Sequence, residues 1–188
     1  MSKKFDSLDE DHQSFIRDQS IFFVGTADVD GHVNVSPKGM DSFRIADARS
    51  VEWLNLTGSG NESAAHVRNT GRMTIMFCSF SERPMILRLY GRASVLHEAD
   101  AGWNEALANF PHFTGARQVF RLALDLVQTS CGYSVPCFDL IAERRTLTQW
   151  ADSLGREGIR NYWANKNRLS LDGRSTGIDE SLRDFVDE

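Results

Sequence analysis

Small and polar residues are concentrated in residues 56–68, where an apolar strand-like run leads into a Gly-rich turn and then a helix expected from near Asn61. The turn carries Thr57 and Gly58, and Ser63 follows in the first helical turn. Backbone N–H groups at a helix N-terminus, together with hydroxyls and small residues, suit a phosphate group. On spacing alone, an ordinary capped strand-to-helix turn is the simpler interpretation, because the segment matches neither a Walker motif nor G-x-G-x-x-G.

A second candidate is Lys38, which directly follows a predicted strand and lies two residues after the hydroxyl of Ser36. A cation at this place could contact a phosphate or the N1/O2 side of a flavin, where positive charge stabilises the anionic reduced ring. An exposed lysine in a turn is the alternative interpretation.

The other reactive residue types form no recognisable catalytic or metal-binding pattern. The three cysteines, Cys78, Cys131 and Cys137, contain no C-x-x-C pair, and the five histidines form no H-E-x-x-H motif. We therefore expect neither a zinc site nor a disulfide framework. Cys131 and Tyr133 could approach a bound cofactor, although a strand end turning into a loop explains them more simply.

The elements that must position these residues are mostly short strands. Periodicity predicts helices over residues 8–19, 99–110 and 147–163, and strands over residues 21–26, 32–36, 43–46, 51–56, 73–80 and 85–96. Residues 118–127 fit both a strand and a helix, and we favour a strand because a closed sheet needs a further member. Many short strands at regular spacing predict a barrel, which removes exposed sheet edges.

Residues 85–96 carry the clearest strand pattern. One predicted face is apolar and buried, whereas the opposite face is polar and carries Arg88, Tyr90 and Arg92. Gly91 in the middle predicts a bulge or a close approach of another backbone.

Four segments occur in an order that resembles the pyridoxamine 5′-phosphate oxidase family and its FMN-binding relatives. They are Ser-Pro-Lys-Gly at 36–39, Leu-Thr-Gly-Ser-Gly-Asn-Glu-Ser at 56–63, Gly-Arg-Met-Thr-Ile-Met-Phe at 71–77 and Ile-Leu-Arg-Leu-Tyr-Gly-Arg-Ala at 86–93. The resemblance spans roughly residues 10–130. It implies a mainly β (α+β) split β-barrel of the FMN-binding type with flanking helices, and a homodimer with FMN between the subunits. We expect one domain over residues 1–188, with a helical C-terminal extension from about residue 146.

The resemblance also implies roles for individual residues. It places Ser36 and Lys38 along the flavin, and Thr57, Gly58, Asn61 and Ser63 around the phosphate and ribityl chain, with His66 and Arg68 as weaker candidates. Arg88 lies on a strand that lines the flavin site, and its alternative interpretation is a solvated strand charge.

The chain also departs from the true oxidases in two places. Residues 165–174 lack the histidine of their Arg-x-His element, and Glu62-Ser63 replaces the Arg-Lys pair of their phosphate-binding helix. The chain therefore resembles a branch that is distinct from the enzymes of vitamin B6 oxidation.

These features together predict an FMN-dependent oxidoreductase acting on a small-molecule substrate or electron donor, with unassigned catalytic residues. A non-catalytic FMN or haem module is the alternative, and haem would require an axial ligand such as His66, His97 or His112. The net charge of −5 argues against nucleic-acid binding. The sequence has no apolar run long enough to span a membrane and no apolar secretory signal near its start, so we expect a cytoplasmic protein.

Overall fold

A computed structural model describes residues 2–185, and the part of the predicted extension at 186–188 lies outside the described residues. The strands are β1 Lys3–Phe5, β2 Phe22–Thr26, β3 Asn34–Lys38, β4 Phe43–Asp47, β5 Ser50–Leu56, β6 Arg72–Cys78, β7 Ile86–His97 and β8 Ala116–Ser130. The helices are α1 Glu10–Arg17, α2 Glu62–Thr70, α3 Trp103–Leu107 and α4 Thr146–Lys166, followed by a 3₁₀ helix at Ile178–Phe185. The strand favoured for residues 118–127 is therefore confirmed as part of β8.

The strands form one antiparallel sheet in the order β3-β2-β6-β7-β8-β5-β4, with β1 added beside β8. Backbone pairing joins all neighbours along this path, but within the described chain it does not join β3 to β4 or β5. The sheet therefore curls into a barrel that remains open between these strands, and the predicted split barrel is confirmed. We refer to the opening between β3 and the β4–β5 pair as the split.

The barrel core lies on the inner face of the sheet. Trp53 stacks on Phe120 with ring centroids 4.5 Å apart, and both side chains are fully buried with Ile75, Leu87 and Leu89. Burial of each such side chain contributes roughly 1.5–3 kcal/mol, so this inner layer holds the strands in register. Helix α2 packs its own apolar residues onto the same core through Ala64 and Val67.

Strand β7 alternates as its sequence predicts, with Leu87 and Leu89 fully buried and Arg88 and Tyr90 half-buried on the other face. Pairing with β8 shifts register between Tyr90 and Gly91, which confirms the predicted bulge. A methyl group at Gly91 would overlap the backbone oxygen of Ala123. Glycine at this position therefore allows β8 to approach closely.

The helices differ in length from the sequence prediction. The helix expected over residues 99–110 is confined to Trp103–Leu107, because Gly102 has φ 89° and the Asp100 side chain accepts a bond from the His97 N–H just before it. Helix α4 is interrupted at Gly155, whose backbone is non-helical. Strand β1 was not predicted, since three residues of strand carry no readable period, whereas the final 3₁₀ helix lies within the helical extension expected from about residue 146.

The C-terminal extension forms a small apolar cluster of its own and then returns to the barrel. Ala151, Ile159 and Trp163 of α4 pack with Ile178 and Leu182. After α4, the tail reaches the β2–β3 turn, where Arg174 Nε lies 3.1 Å from Asp28 Oδ2, and Asp172 Oδ1 lies 2.6 Å from His32 Nδ1. No helix within residues 2–185 is both long and apolar enough to cross a bilayer.

Candidate functional site

Lys38 bridges the split in the barrel. It stands at the end of β3, where Asn34, Ser36 and Lys38 alternate on the inward side. Its Nζ donates a hydrogen bond to Asn55 Oδ1 of β5 at 3.3 Å and lies 5.1 Å from the centroid of the Trp53 ring. A side chain thus joins two strands that share no backbone bonds, and it brings a positive charge to the opening.

A buried chain of amides continues from Lys38 into the barrel. Asn55 Nδ2 donates to Gln118 Oε1 of β8 at 3.0 Å, and both amide side chains are buried. Gln118 Nε2 has no hydrogen-bond partner among the described residues. Buried polar atoms are nearly always satisfied, so this free donor marks a place where the described chain does not complete its own network.

Arg117, next to Gln118 on β8, is a second cation at this end of the barrel. It is 2% exposed, and its Nη1 donates to Asn167 Oδ1 at 2.8 Å and to the Gly58 carbonyl at 3.4 Å. Among the side chains that the structure describes, none forms an ion pair with Arg117, and its Nε has no hydrogen-bond partner there. Arg117 is thus a buried charge held only by neutral groups.

The charge of Arg117 affects the titration of Lys38. Burial, followed by the positive charge of Arg117, lowers the pKa of Lys38 to about 8, whereas nearby Glu62 opposes this effect. Burial also lowers the pKa of Arg117 to about 10, again against the effect of Glu62. Both groups are therefore in electrostatic contact with the first residue of α2, and the surroundings favour a further negative charge.

The Gly-rich turn before α2 is held by the C-terminal extension. Thr57 Oγ1 accepts a bond from Trp163 Nε1 at 2.8 Å and donates to the Gly115 carbonyl at 2.8 Å. Asn167 Nδ2 donates to the Gly58 carbonyl at 3.1 Å, and Asn61 Nδ2 donates to the Asn167 carbonyl at 3.1 Å. Helix α2 begins after Asn61 as predicted, but the Asn61 side chain makes no capping bond to it. The side chains of Thr57 and Asn61 therefore serve the fold, while the helix start has no side-chain cap.

Ser63 and His66 lie on the buried side of α2. Ser63 Oγ accepts a bond from Asn34 Nδ2 at 3.1 Å, and His66 Nδ1 lies 3.1 Å from Thr26 Oγ1. His66 is fully buried. Ser63 thus ties α2 to β3, whereas His66 supports this contact from within the core and presents no accessible nitrogen to a haem iron. Arg68, the weaker candidate two residues further on, lies against Gly177 of the tail.

Arg88 is separated from these residues. Strand pairing aligns Arg88 with Met76, Met76 with Phe23, and Phe23 with Pro37, so Arg88 shares the outer face of the sheet, opposite Lys38. Three strand spacings separate it from β3, or about 14 Å. Its Nη1 donates to Ser130 Oγ at 3.1 Å. The structure thus gathers the predicted residues of β3, the turn and α2 beside the split and leaves Arg88 on the other surface.

Several polar residues of this region were missed from the sequence, namely Asn34, Asn55, Arg117, Gln118 and Asn167. The alternation of polar residues at 34, 36 and 38 could have revealed Asn34, because residues two apart share a strand face. Adjacent polar residues at the start of apolar β8 could have drawn attention to Arg117 and Gln118. No pattern in the sequence around Asn167 distinguishes it from an ordinary polar residue.

A cavity of about 1020 Å³ opens beside the end of β3 and reaches Lys38. Residues 138–147, from the connection after β8 to the first turn of α4, form one wall, and the end of α1 and the β6–β7 turn form the others. Its lining includes Phe15, Phe80, Phe138, Leu140, Arg83 and Arg144. A cavity of this size accommodates a cofactor or a drug-sized molecule.

The other reactive groups form no site of their own. Within residues 2–185, no group of three or more His, Cys, Asp or Glu side chains is placed to hold a metal ion. Cys131 and Tyr133 are both exposed, and the backbone N–H of Tyr133 lowers the pKa of the Cys131 thiol. Neither residue lines the cavity described above.

Comparison of the sequence with known proteins gives one family. A sequence profile described as pyridoxamine 5′-phosphate oxidase matches residues 8–131. The chain is 35% identical over 199 residues to the pyridoxamine 5′-phosphate oxidase family protein ustO of Aspergillus flavus, covering 96% of this chain and 79% of that protein.

Two solved structures share the fold. A candidate pyridoxamine 5′-phosphate oxidase from Lactobacillus delbrueckii has a TM-score of 0.54 at 23% identity, covering 65% of this chain and 94% of that chain. HupZ from Group A Streptococcus has a TM-score of 0.51 at 21% identity, covering 65% of this chain and 98% of that chain. Because the family profile spans the barrel and the Aspergillus relative spans nearly the whole sequence, the chain belongs to the pyridoxamine 5′-phosphate oxidase family.

Proposed function

We propose that this chain is an FMN-binding flavoprotein and an oxidoreductase that acts on a small-molecule substrate or electron donor. The observation that carries the proposal is a pair of cations: Arg117, which donates to Gly58 of the Gly-rich turn, and Lys38 at the split, whose pKa is lowered by the charge of Arg117. Among the described side chains, neither cation takes part in an ion pair. A flavin mononucleotide carries a dianionic phosphate and a ring whose N1/O2 side becomes negative on reduction, and both groups suit such a positive environment.

Three features of the site fit this cofactor. The start of α2 has no side-chain cap, so its first N–H groups suit an anion. The turn leaves open space, since a methyl group built on Gly58 would meet no described atom within 4 Å outside its two chain neighbours. The cavity of about 1020 Å³ borders Lys38 and has room for the ring. These features support FMN, although the side chains of Thr57 and Asn61 are already engaged within the fold.

When bound, FMN supplies two-electron transfer between a donor and an acceptor. The residues of this chain bind and orient it. Lys38 provides a cation at the ring, and Ser36 and Ser63 provide hydroxyls near it, while Thr57, Gly58 and Asn61 shape the turn for the phosphate. His66 supports α2 from the core. Arg88 lies on the outer face of the sheet, so in the proposed homodimer it would contact the cofactor bound by the other subunit.

We further propose that the barrel and the extension fold as one domain and that the protein acts in the cytoplasm. We also propose that the chain forms a homodimer through the outer face of β3 and its neighbouring strands. Val33 and Val35 support the dimer, because they are 70% and 68% exposed on or next to an edge strand. Apolar side chains exposed together on a sheet edge commonly mark an interface.

An absorbance scan of the purified protein tests the cofactor directly. We expect flavin bands, either as purified or after FMN is added, and we expect NADPH or another donor to bleach them without oxygen. A protein that takes up no FMN contradicts the proposal. Bound flavin that no donor reduces would instead identify a carrier.

Replacement of Lys38 by alanine tests the residue assignment. We expect Lys38→Ala to weaken FMN binding by about tenfold, since a charge-assisted contact contributes roughly 1.5–3 kcal/mol. Lys166→Ala is the matched control. This substitution removes the same charge, but from an exposed residue at the end of α4. If both variants bind FMN as the parent does, Lys38 has no role in the site.

A further inference from the structure

We infer that Arg117 supplies the buried positive charge by which this site selects a phosphate-bearing ligand, and that the carboxylate of Glu62 opposes it. Arg117 belongs to none of the four segments that resemble the family. The inference rests on the proposed FMN site and names the group that distinguishes FMN from the same flavin without its phosphate.

The burial of Arg117 is the first observation. The side chain is 2% exposed, and its hydrogen bonds go to Asn167 Oδ1 and to the Gly58 carbonyl. A buried charge is costly unless a partner of opposite sign compensates it. Neutral acceptors compensate a guanidinium only partly, and Nε has no acceptor within the described chain. An anionic ligand would supply the missing partner.

The position of Arg117 is the second observation. Its Nη1 touches the carbonyl of Gly58, in the turn that leads to the start of α2. Space is open next to the turn, because a methyl group on Gly58 would meet no described residue within 4 Å other than its chain neighbours. A phosphate bound there would lie between an uncapped helix start and a buried guanidinium, two groups that attract the same charge.

Glu62 is the third observation, and it acts in the opposite direction. Its carboxylate folds back over Gly60, at the first residue of α2. The effect of Glu62 on the pKa values of both Lys38 and Arg117 shows that it lies within electrostatic reach of the two cations. Where the related oxidases carry basic residues on this helix, this chain carries an acid, and its positive charge comes from β8 instead.

Asn167 fixes the guanidinium in this place. It is fully buried, accepts the bond from Arg117 through Oδ1, and donates through Nδ2 to the carbonyls of Gly58 and Ser59. Thr176 Oγ1 donates to the Asn167 backbone carbonyl at 2.7 Å and anchors the residue from the tail side. Arg117 and the turn therefore share one buried partner, which holds the guanidinium beside the turn.

Comparison of FMN with riboflavin, which lacks the phosphate, tests the inference on the full chain. Dissociation constants for both flavins would be measured by fluorescence quenching for the parent, Arg117→Met and Glu62→Gln. We expect the parent to prefer FMN. Arg117→Met should weaken FMN binding by about tenfold or more and change riboflavin binding by less than about twofold. Glu62→Gln should strengthen FMN binding several-fold and leave riboflavin binding unchanged.

Matched controls separate the effect of a charge at the site from the effect of the total charge of the protein. Arg49→Met and Glu105→Gln change the total charge by the same amounts at exposed positions, and they should leave the affinities for FMN and riboflavin unchanged. Thermal melting of each variant reports folding, and Glu62→Gln keeps the test decisive if Arg117→Met is unstable, because a gain in affinity cannot come from unfolding.

Two results would overturn the inference while sparing the proposed function. One is a parent that binds FMN and riboflavin equally well. The other is a set of variants in which Arg117→Met weakens the binding of FMN and of riboflavin equally, and Glu62→Gln strengthens the binding of neither flavin. A parent that binds no FMN at all contradicts the proposed function itself and removes the basis of the inference with it.

Discussion

At the scale of single residues, the low pKa of Lys38 gives FMN binding a predicted dependence on pH. Burial and the charge of Arg117 lower this pKa to about 8, so the free protein loses the Lys38 proton where most lysines remain charged. An anionic ligand stabilises the protonated form and raises the pKa in the complex. FMN affinity should therefore be constant near pH 7 and weaken as pH rises through about 8.

Fluorescence titrations between about pH 7 and 9.5 measure this effect, since the phosphate of FMN is already dianionic throughout that range. Lys38→Arg is the control, because arginine keeps its charge at these pH values and should give a flat profile. A parent affinity that does not change with pH would show that Lys38 does not face the cofactor.

The sequence predicts some residues of this site but not others, for a physical reason. Lys38 and the Gly-rich turn are visible because strand, turn and helix start follow one another along the chain. Asn55 meets Gln118 across 63 positions, and Asn167 meets Gly58 across 109. Such pairs are decided by strand order and by the return of the tail, which no local pattern encodes.

At the scale of elements, the bulge in β7 predicts a stability effect. Gly91→Ala would place a methyl group against the backbone oxygen of Ala123, and a backbone atom cannot move aside as a flexible side chain would. We expect the variant to lose roughly 1–3 kcal/mol of unfolding free energy, with a lower midpoint of thermal unfolding. Gly25→Ala in β2 is the control, because the nearest atom to its methyl group would lie at 3.7 Å. Equal midpoints for the two variants would contradict this account of the bulge.

The bounds of the strands were predicted more accurately than those of the helices, because a turn within a predicted helix can shorten it. The alternation in residues 85–96 survives in the structure because one face of β7 packs on the core. The helix predicted over residues 99–110 kept its apolar residues, Trp103 and Ala106, but the turn around Asp100 and Gly102 shortened it. A hydrogen bond from a backbone N–H to a side chain, together with the left-handed Gly102, thus overrode the helical period.

At the scale of the whole molecule, the outer face of β3 predicts the oligomeric state. Val35→Asp would place a charge in the proposed interface, so we expect this variant to sediment as a monomer while the parent sediments as a dimer. Val29→Asp is the control, because Val29 is 77% exposed in the β2–β3 turn, outside the strand. Analytical ultracentrifugation of the three proteins measures the outcome, and a dimeric Val35→Asp variant would exclude this face.

The attachment of the tail to the Gly-rich turn has a consequence for synthesis of the protein on the ribosome. All strands of the barrel are present once Ser130 has been made, so the sheet can form while translation continues. The partners of the turn, Trp163 and Asn167, emerge later, and Thr176 later still. A growing chain therefore carries a barrel before it carries a finished turn, and an interrupted chain that ends before residue 163 would lack the contacts that hold the turn in place.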